Sequence, residues 1–295
     1  MAHAPRITLL GTGTMGVGMA HSMLRAGLPL TVWNRHAEKA RPLADDGATV
    51  AEEVLAAVRD ADVVVTMLFD ADAVAEVMEQ AAGAMQDGAV WVQSSTVGRD
   101  GIAKLARLAE EHGLTMVDAP VVGTKQPAED GALTVLASGP AATRDTVQPV
   151  FDAIGAKTVW LGDEPGAASA MKLVANSWLA MLTVGTAQGV QQARAFGLDP
   201  ARFLETVSGG AADSPYLQTK GRAILEDRFE PQFGLDGLLK DLRLIRAATA
   251  DAAVPTTVVD ALVAVFERAS DEGHGGKDIA AVAVSFAPPA GAPAV

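Results

Sequence analysis

A glycine-rich turn near the N-terminus places the strongest constraint on the fold of this chain. Arg6–Leu10 is a short β-prone run that leads directly into Gly11–Gly16, which has the spacing GxGxxG. A helical pattern follows to about Leu24, and Leu30–Trp33 has the composition of a second strand. In the context of a strand, a helix and a second strand, this turn indicates dinucleotide binding rather than a glycine-rich turn without function.

Each glycine has a different expected role in this turn. Gly11 permits the tight turn, Gly13 lets the backbone approach a pyrophosphate, and Gly16 lets the helix and the strand pack closely. The N-terminus of the helix offers free N–H groups and the positive end of its dipole to the phosphates. The predicted cofactor-binding loop therefore consists of Gly11, Thr12, Gly13, Thr14, Met15 and Gly16.

The residues after the second strand distinguish between two cofactors. NAD-binding sites usually have an acid at this point, which holds the 2′-hydroxyl group of the ribose. This chain instead has Asn34 and Arg35. A carboxylate would repel a 2′-phosphate, whereas an arginine can pair with it and stack on the adenine. We therefore expect Asn34 and Arg35 to contribute to the cofactor site and NADP(H) to be preferred over NAD(H). The alternative for Arg35 is a solvated turn residue.

Strand and helix patterns continue to alternate up to about residue 161, which predicts a doubly wound parallel sheet of the Rossmann type. Ligands of such sheets bind beyond the carboxyl ends of the strands. Met67, Leu68 and Thr96 are therefore expected near the nicotinamide half of the cofactor. The alternative is that the polar stretch Ser94–Thr96 caps the next helix, which is predicted over Gly101–His112.

A long segment without a clear helical or strand pattern follows the next strand. Val121–Gly131 lies between the strand that ends near Pro120 and the strand Leu133–Ala137, and we predict it to be a loop. Loops of this length inside a compact domain are often functional. A helix to about Ile154 and a strand over Lys157–Leu161 then complete the domain.

Gly162–Gly166 marks the boundary between two predicted domains. The long helical pattern that follows runs over about residues 166–196. About 30 residues in a helix span roughly 45 Å, which is longer than one small domain needs. No convincing strand follows in the sequence. The predicted fold is therefore α/β, with an N-terminal doubly wound Rossmann domain over residues 1–163 and an all-helical C-terminal domain over residues 164–295, joined by a long interdomain helix. A dimer interface is a second use for that helix.

The composition excludes several classes of function. The formal charge is −13, from 23 Lys and Arg against 36 Asp and Glu, which argues against nucleic-acid binding because that requires a basic surface. The chain has no cysteine, so disulfides, thiolate catalysis and cysteine-ligated metals are excluded. No HExxH spacing occurs, polar residues interrupt the apolar runs short of a membrane span, and no signal-peptide pattern precedes the glycine loop. We therefore expect a cytoplasmic protein with no metal, no membrane partner and a small-molecule substrate.

One lysine interrupts the apolar start of the long helix. Lys172 and Asn176 are four residues apart, so a helix places both on one side, one turn from each other. Hydride transfer to a carbonyl leaves negative charge on the oxygen, and a partly buried lysine can donate a proton to it. Burial and a neighbouring cation would favour the neutral amine. The alternative is a lysine that extends from a buried helix to the surface.

Four motifs in this order resemble those of the β-hydroxyacid dehydrogenase family, which includes 3-hydroxyisobutyrate dehydrogenases. They are the glycine loop, the run Asp118–Gly123, the spaced residues Gly166, Lys172 and Asn176, and the pair Lys240-Asp241. The similarity covers roughly residues 7–285. The loop Gly123–Gly131, together with Asn34-Arg35, is most similar to the glyoxylate and succinic semialdehyde reductase branch, which uses NADPH.

The resemblance implies an oxidoreductase that interconverts a small aldehyde or keto acid and its hydroxy acid. It also implies a cleft between two domains and a homodimer or homotetramer. Lys172 would be the catalytic lysine, and Asn176 would help hold the substrate. Thr96 and Lys240 would line the nicotinamide and substrate side of the cleft, with Asp241 contributing to substrate binding.

The substrate loop departs from the family pattern. The family has Ser-Gly-Gly, or Ser-Gly followed by a small residue, where this chain has Val122, Gly123 and Thr124. The family serine helps hold a substrate carboxylate; the Val122 side chain cannot donate such a bond, whereas Gly123 and Thr124 still can. Two alternatives therefore stay open, an imine reductase-like NADPH enzyme with a non-carboxylate substrate and a non-catalytic dinucleotide-binding module. Related imine reductases usually have an acid or a tyrosine at the position of Lys172, so the lysine favours carbonyl or alcohol chemistry.

Overall fold

The computed structural model describes residues 4–287, so the outermost residues of both predicted domains, 1–3 and 288–295, lie outside the described range. The strands are β1 (Ile7–Leu10), β2 (Leu30–Trp33), β3 (Thr49–Val50), β4 (Val63–Thr66), β5 (Val90–Gln93), β6 (Thr115–Asp118), β7 (Val121–Val122), β8 (Leu133–Ala137) and β9 (Gly155–Trp160). The α-helices are α1 (Thr14–Arg25), α2 (Val54–Val58), α3 (Ala71–Ala81), α4 (Gly98–Glu111), α5 (Lys125–Asp130), α6 (Arg144–Ile154), α7 (Ala167–Ala195), α8 (Pro200–Val207), α9 (Pro215–Leu225), α10 (Leu235–Asp251) and α11 (Thr257–Ala269).

Six strands form a parallel sheet in the order β3-β2-β1-β4-β5-β6. The central strand β1 pairs with β2 and β4, and Ile7 lies opposite Leu30 on one side and Val63 on the other. The chain therefore adds β2 and β3 on one side of β1, then β4, β5 and β6 on the other. This change in winding direction between β1 and β4 confirms the predicted doubly wound Rossmann sheet.

Helices cover both faces of this sheet. Val63 and Val65 of β4 belong to one apolar cluster and Val64 to the other, because successive side chains of a strand point to opposite faces. One cluster includes buried residues of α1 and α6, and the other includes those of α2, α3 and α4. A parallel strand that is buried on both faces needs consecutive apolar residues, which explains the valine run of β4.

A second sheet joins β7, β8 and β9, with β8 antiparallel to β7 and parallel to β9. The prediction of a loop over Val121–Gly131 is wrong, because this segment contains β7 and the helix α5. The six residues of α5 are too few to show a helical period, and the helix ends where Gly131 adopts a left-handed conformation with φ of 68°. Tertiary packing stabilises α5 against α1, where a Cβ atom on Gly18 would lie 2.9 Å from the Cβ atom of Ala128.

The long predicted helix is α7, with 29 residues. Within residues 4–287 the chain divides into two compact units, residues 4–173 and residues 174–287, and the division falls inside α7. In the part of the second unit that the structure describes there is no strand, and an isolated bridge pairs Gly234 with Asp278. A π-helical turn over Ser270–His274 and a 3₁₀ segment over Ile279–Phe286 follow α11. The prediction of a helical second half is confirmed.

A buried ion pair organises the end of the second unit. Lys220 Nζ lies 2.6 Å from Asp278 Oδ1, and both side chains are almost fully buried. Asp278 Oδ2 accepts hydrogen bonds from the backbone N–H groups of Gln232 and Phe233, and Oδ1 accepts one from the N–H group of Ala280. This carboxylate therefore connects α9 to the segment before α10 and to the 3₁₀ segment.

By length and composition, α7 is apolar enough to cross a membrane. Core helices of soluble proteins have the same properties, so one such helix is weak evidence for a membrane span. The absence of a membrane partner and the cytoplasmic location both stay predictions.

Candidate functional site

The glycine loop lies where the winding direction of the sheet changes. Gly11 follows β1, and Met67 follows the neighbouring strand β4. Gly11 has φ of 110°, and a Cβ atom there would lie 2.3 Å from the carbonyl oxygen of Met67. A Cβ atom on Gly16 would lie 2.0 Å from the carbonyl oxygen of Gly11. Both positions therefore require glycine, because the turn packs directly against the ends of two strands and against α1.

Gly13 differs from these two glycines because a Cβ atom there would meet no atom within 4 Å. Gly13 is the N-cap residue of α1, so no side chain caps the helix, and the first turn of α1 contains no acid. The first N–H groups of a helix, here those of Thr14 and Met15, have no intrahelical partners. Thr12 Oγ1 is buried and has no hydrogen-bond partner within residues 4–287. These donors and the open space above Gly13 fit the phosphates of a dinucleotide.

Asn34 and Arg35 follow β2 and have different surroundings. Asn34 Oδ1 accepts a hydrogen bond from the backbone N–H group of Thr12 at 3.1 Å, and its amide donates to the carbonyl of His36 at 3.0 Å. Asn34 therefore orients the backbone of the glycine loop. Arg35 is exposed, and its Nη1 atom lies 3.8 Å from Oε2 of Glu76 on α3. A 2′-phosphate at this position would compete with Glu76 for the guanidinium group, a contact that sequence reasoning missed.

A buried polar network orients the backbone at the ends of β4 and β5. The Gln93 side chain accepts a hydrogen bond from the N–H group of Ser95 and donates one to its carbonyl, both at 2.8 Å. Ser95 Oγ accepts a hydrogen bond from the N–H group of Leu68, also at 2.8 Å. Met67 and Leu68 therefore lie beside the glycine loop in a fixed turn. Sequence reasoning did not select Gln93, although a glutamine at the end of an apolar strand is a signal for such a network.

Ser95 does not cap the following helix. That helix, α4, begins at Gly98, and its N-cap residue is Val97, which makes no side-chain bond. The capping interpretation is therefore wrong for Ser95. The Ser94 hydroxyl is buried without a hydrogen-bond partner among the described residues, and Thr96 is half-buried. All three lie beyond the carboxyl end of β5, where the nicotinamide half of the cofactor is expected.

Asp118, at the end of β6, accepts four hydrogen bonds from the start of α7 and its surroundings. Its Oδ2 atom accepts from the N–H groups of Gly166 at 3.0 Å and Ser169 at 2.8 Å. The Ser169 hydroxyl donates to Oδ1 at 2.7 Å, and the Ser138 hydroxyl donates to Oδ2 at 3.3 Å. Ser138 Oγ also accepts from the N–H group of Ala168 at 3.0 Å. Burial raises the pKa of the Asp118 carboxyl group, and the four hydrogen bonds oppose that shift.

Lys172 lies one helical turn after Ser169 on α7. Its residue is only 7% exposed, which is rare for lysine unless the side chain is paired. The stem of Lys172 is therefore buried, and both interpretations of its amine stay predictions. Asn176, one turn further along, is 2% exposed. The helix thus carries a buried lysine and a buried asparagine on one side.

Asn176 belongs to a polar cluster of the second unit. Its amide donates a hydrogen bond to Asp241 Oδ2 at 2.6 Å, and Lys240 Nζ lies 2.8 Å from Asp241 Oδ1. Sequence reasoning treated Lys240 as a bare cation, but the structure pairs it with a buried carboxylate. The cluster is therefore closer to neutral than expected, and Asp241 orients the amide of Asn176.

The predicted substrate loop joins β7 to α5. Val122 pairs with Thr134 across the small sheet. Gly123 is exposed and has φ of 142°, and a Cβ atom there would lie 2.6 Å from Leu133 Cδ2. Thr124 is the N-cap residue of α5, but its side chain makes no capping bond. The loop thus offers a backbone amide at Gly123 and a hydroxyl at Thr124 that does not cap the helix.

These candidate residues fall into groups within each unit. In residues 4–173 the glycine loop contacts Asn34 and Met67 directly. In residues 174–287 the amide of Asn176 and the Lys240-Asp241 pair form the second group. No group of three or more metal-binding side chains occurs in the described ranges, and chemistry without metal stays a prediction.

A doubly wound sheet with an open glycine loop at its switch point, followed by a long helix with a buried lysine, defines the class of nicotinamide-dependent oxidoreductases. Residues 6–162 match the NAD binding domain of 6-phosphogluconate dehydrogenase. Residues 166–285 match the family described as NAD-binding of NADP-dependent 3-hydroxyisobutyrate dehydrogenase. The chain belongs to the 3-hydroxyisobutyrate dehydrogenase family of β-hydroxyacid dehydrogenases, which confirms the resemblance and the oxidoreductase class.

Relatives of this chain extend over nearly its whole length. Glyoxylate/succinic semialdehyde reductase 1 from Arabidopsis thaliana is 31% identical over 285 residues, which cover 95% of this chain and 98% of that protein. The crystal structure of 3-hydroxyisobutyrate dehydrogenase from Salmonella typhimurium has a TM-score of 0.88 at 26% identity, covering 95% of this chain and 99% of that one. A reductive aminase from Aspergillus terreus has a TM-score of 0.63 at 28% identity, covering 96% of this chain and 100% of that one.

Proposed function

We propose that this protein is an NADPH-dependent reductase that interconverts a small aldehyde or keto acid and its hydroxy acid, with Lys172 as the general acid and base. The observation that carries the proposal is the burial of Lys172, one turn beyond a helix start that Asp118 caps from within the Rossmann domain. Lysine residues are almost never this buried unless the side chain is paired, and Lys172 is only 7% exposed.

The glycine loop Gly11–Gly16 would hold the dinucleotide, whose nicotinamide would supply hydride chemistry when bound. Lys172 would donate a proton from Nζ to the carbonyl oxygen, and in the reverse direction its neutral amine would accept that proton. Burial strengthens the interaction of Lys172 with charge on the oxygen, because little water screens it. Asn176, oriented by Asp241, would hold the substrate hydroxyl or carbonyl in position.

The proposed preference for NADPH over NADH rests on the end of β2. The chain has no acid at this point, and Arg35 presents an exposed guanidinium group on the side of the sheet that carries the glycine loop. An arginine there can form charge-assisted hydrogen bonds with a 2′-phosphate. Asn34 contributes by holding the N–H group of Thr12 in place.

The proposed substrates are small carbonyl compounds because of the relatives and the geometry of the substrate loop. One relative at 31% identity is named for glyoxylate and succinic semialdehyde. The exposed Gly123 amide and the Thr124 hydroxyl can still bind a carboxylate after the loss of the family serine at Val122.

The variant Lys172→Ala tests the catalytic role. Removal of a general acid should lower kcat for succinic semialdehyde or glyoxylate about 10²- to 10⁴-fold, while the Kd of NADPH changes by less than about twofold, since the glycine loop is intact. The matched control is Lys157→Ala, which removes an exposed lysine from β9 of the same unit and should leave kcat unchanged. Near-normal turnover by Lys172→Ala would contradict the proposal.

A second candidate function is reduction of imines, because the apolar Val122 side chain in the substrate loop favours a substrate without a carboxylate. The similarity to a reductive aminase adds support. A panel of glyoxylate, succinic semialdehyde and a cyclic imine, each with NADPH, separates the candidates. Activity with the imine alone would replace the first function by the second, and activity with none of the three would contradict both.

We also propose that the protein is a homo-oligomer that pairs through α7. An exposed stripe runs along this helix with alternating spacings of four and three residues, which is the pattern of helices that pack against each other. Its members in the second unit are Val174, Trp178, Met181, Gly185, Gln188 and Gln192. The stripe carries no charge although the chain has a net charge of −13, so a second copy can pack on it without repulsion between carboxylates. Such a dimer or tetramer agrees with the family resemblance.

A further inference from the structure

The surroundings of Asp118 direct four hydrogen-bond donors at its two carboxyl oxygens. The four groups that contact its oxygens all act as donors, namely two backbone N–H groups and the hydroxyls of Ser138 and Ser169. A carboxylate is the side chain that accepts from all four, because it has two oxygens and no hydrogen. The residue is fully buried, so water cannot replace any of these bonds. An asparagine would direct its own N–H₂ group at one donor if that group replaced Oδ1, and at three donors if it replaced Oδ2.

The hydrogen bonds of Asp118 and Ser138 form a cap on the first turn of α7, and this cap connects three segments of the first unit. Asp118 ends β6, Ser138 follows β8, and the backbone bridge between them is antiparallel. Ser138 Oγ accepts from Ala168 while it donates to Asp118. The first turn of α7 is therefore bonded to the ends of both β6 and β8. The negative charge of an ionised Asp118 also stabilises the positive end of the helix dipole.

We propose that Asp118 is a positioning residue for Lys172, with Ser138 and Ser169 as the parts of the cap through which it acts. Ser169 and Lys172 are three residues apart, so they lie on one side of the helix in consecutive turns. A shift of the first turn is transmitted to Lys172 because the intervening backbone is a rigid helix. The proposal rests on the proposed catalytic role of Lys172.

A purely structural role for Asp118 makes a different prediction. If the cap only stabilises the fold, its loss lowers the fraction of folded enzyme but leaves the folded molecules with normal catalysis. If the cap positions Lys172, the folded molecules themselves become slow in the chemical step. Misplacement of a catalytic group by about 1 Å costs on the order of 100-fold in rate.

The experiment compares Asp118→Asn with Asp278→Asn in the full chain. Asp278 is the matched control because it is also a buried aspartate that accepts backbone N–H groups, but it lies in neither the cofactor site nor the start of α7. We expect Asp118→Asn to bind NADPH within about twofold of the parent, to lose about 10- to 100-fold in kcat, and to show a larger kinetic isotope effect with NADPH deuterated at the transferred position. Asp278→Asn should lose stability and keep the parental isotope effect.

Two further measurements apply if Asp118→Asn does not fold or if the parent has no activity with the panel substrates. If Asp118→Asn does not fold, Ser169→Ala, which removes a single donor from the cap, should still lower kcat and raise the isotope effect. If the parent turns over none of the panel substrates, the proposed function fails. The positioning is then tested directly by comparing, in the parent and in Asp118→Asn, the rate at which an acylating reagent modifies Lys172 relative to exposed Lys157. Normal kcat and isotope effect in the folded Asp118 and Ser169 variants, or an unchanged modification rate, would overturn the inference.

Discussion

Cofactor selectivity provides the sharpest test of the N-terminal site. The perturbation is Arg35→Ala, and the measured quantity is the ratio of the Kd values for NADH and NADPH. NADPH and NADH differ only in the 2′-phosphate, so contacts elsewhere in the glycine loop cancel in this ratio. We expect the variant to lose affinity for NADPH and to keep its affinity for NADH.

The size of the effect follows from the exposure of Arg35. Hydrogen bonds to charged groups contribute about 1.5–3 kcal/mol, and about 1.4 kcal/mol corresponds to a tenfold change in Kd. Because the Arg35 side chain is 71% exposed, solvent screening places the effect at the lower end of this range, roughly tenfold.

Glu76 allows the same contact to be tested in the opposite direction. Its carboxylate lies 3.8 Å from the Arg35 guanidinium group, and it would repel a 2′-phosphate. Glu76→Gln should therefore tighten NADPH binding about two- to fivefold, since exposed ion pairs contribute at most about 1 kcal/mol. The matched control is Glu79→Gln, which removes the same charge from an exposed position on the same helix.

Fluorescence titration of NADPH and NADH against the three variants and the parent gives all the required Kd values. Titrations at low and high salt should show that the effects of Arg35 and Glu76 shrink as salt rises. An unchanged NADH/NADPH ratio in Arg35→Ala would refute the assignment of Arg35 to the 2′-phosphate. A Glu79→Gln variant that matched Glu76→Gln would show that only net charge matters.

Three other predictions test separate parts of the structure. Gly13→Ala should keep the parental melting temperature, because the added Cβ atom meets no protein atom within 4 Å, but it should bind NADPH weakly, because that atom occupies the space expected for the phosphates. Gly16→Ala should lower the melting temperature, because its Cβ atom would lie 2.0 Å from a backbone oxygen. Burial raises the pKa of the Asp118 carboxyl group, so this carboxyl group holds its proton more tightly in the folded protein than in the unfolded chain. The contribution of Asp118 to the free energy of unfolding should therefore be largest below the ordinary aspartate pKa and decline as pH rises through the raised pKa. Urea unfolding at a series of pH values measures this dependence. Trp178→Lys should shift the protein to a smaller species in light scattering if α7 pairs with a second copy, and an unchanged mass would contradict that pairing.

Local sequence patterns determined the architecture of the first domain. The GxGxxG turn between a strand and a helix, and the continuous valine run of β4, each reflect a physical need that acts over a few neighbouring residues. Gly11 and Gly16 are required because backbone oxygens lie within 2.3 Å of where their Cβ atoms would be. Family motifs then pointed to Lys172 and Asn176, whose spacing alone places them on one side of a helix.

Tertiary structure alone decided how those residues are held. The helix α5 has too few residues to show a period and exists because it packs on α1. Ser95 could equally have capped a helix, and only the fold brings the N–H group of Leu68 to its hydroxyl. Asp118 and Ser169 are 51 residues apart in sequence, and no local pattern reports that the end of one strand caps the start of α7. The sequence determines which reactive side chains the protein carries, whereas long-range hydrogen bonds between segments determine the positions of those side chains in the fold.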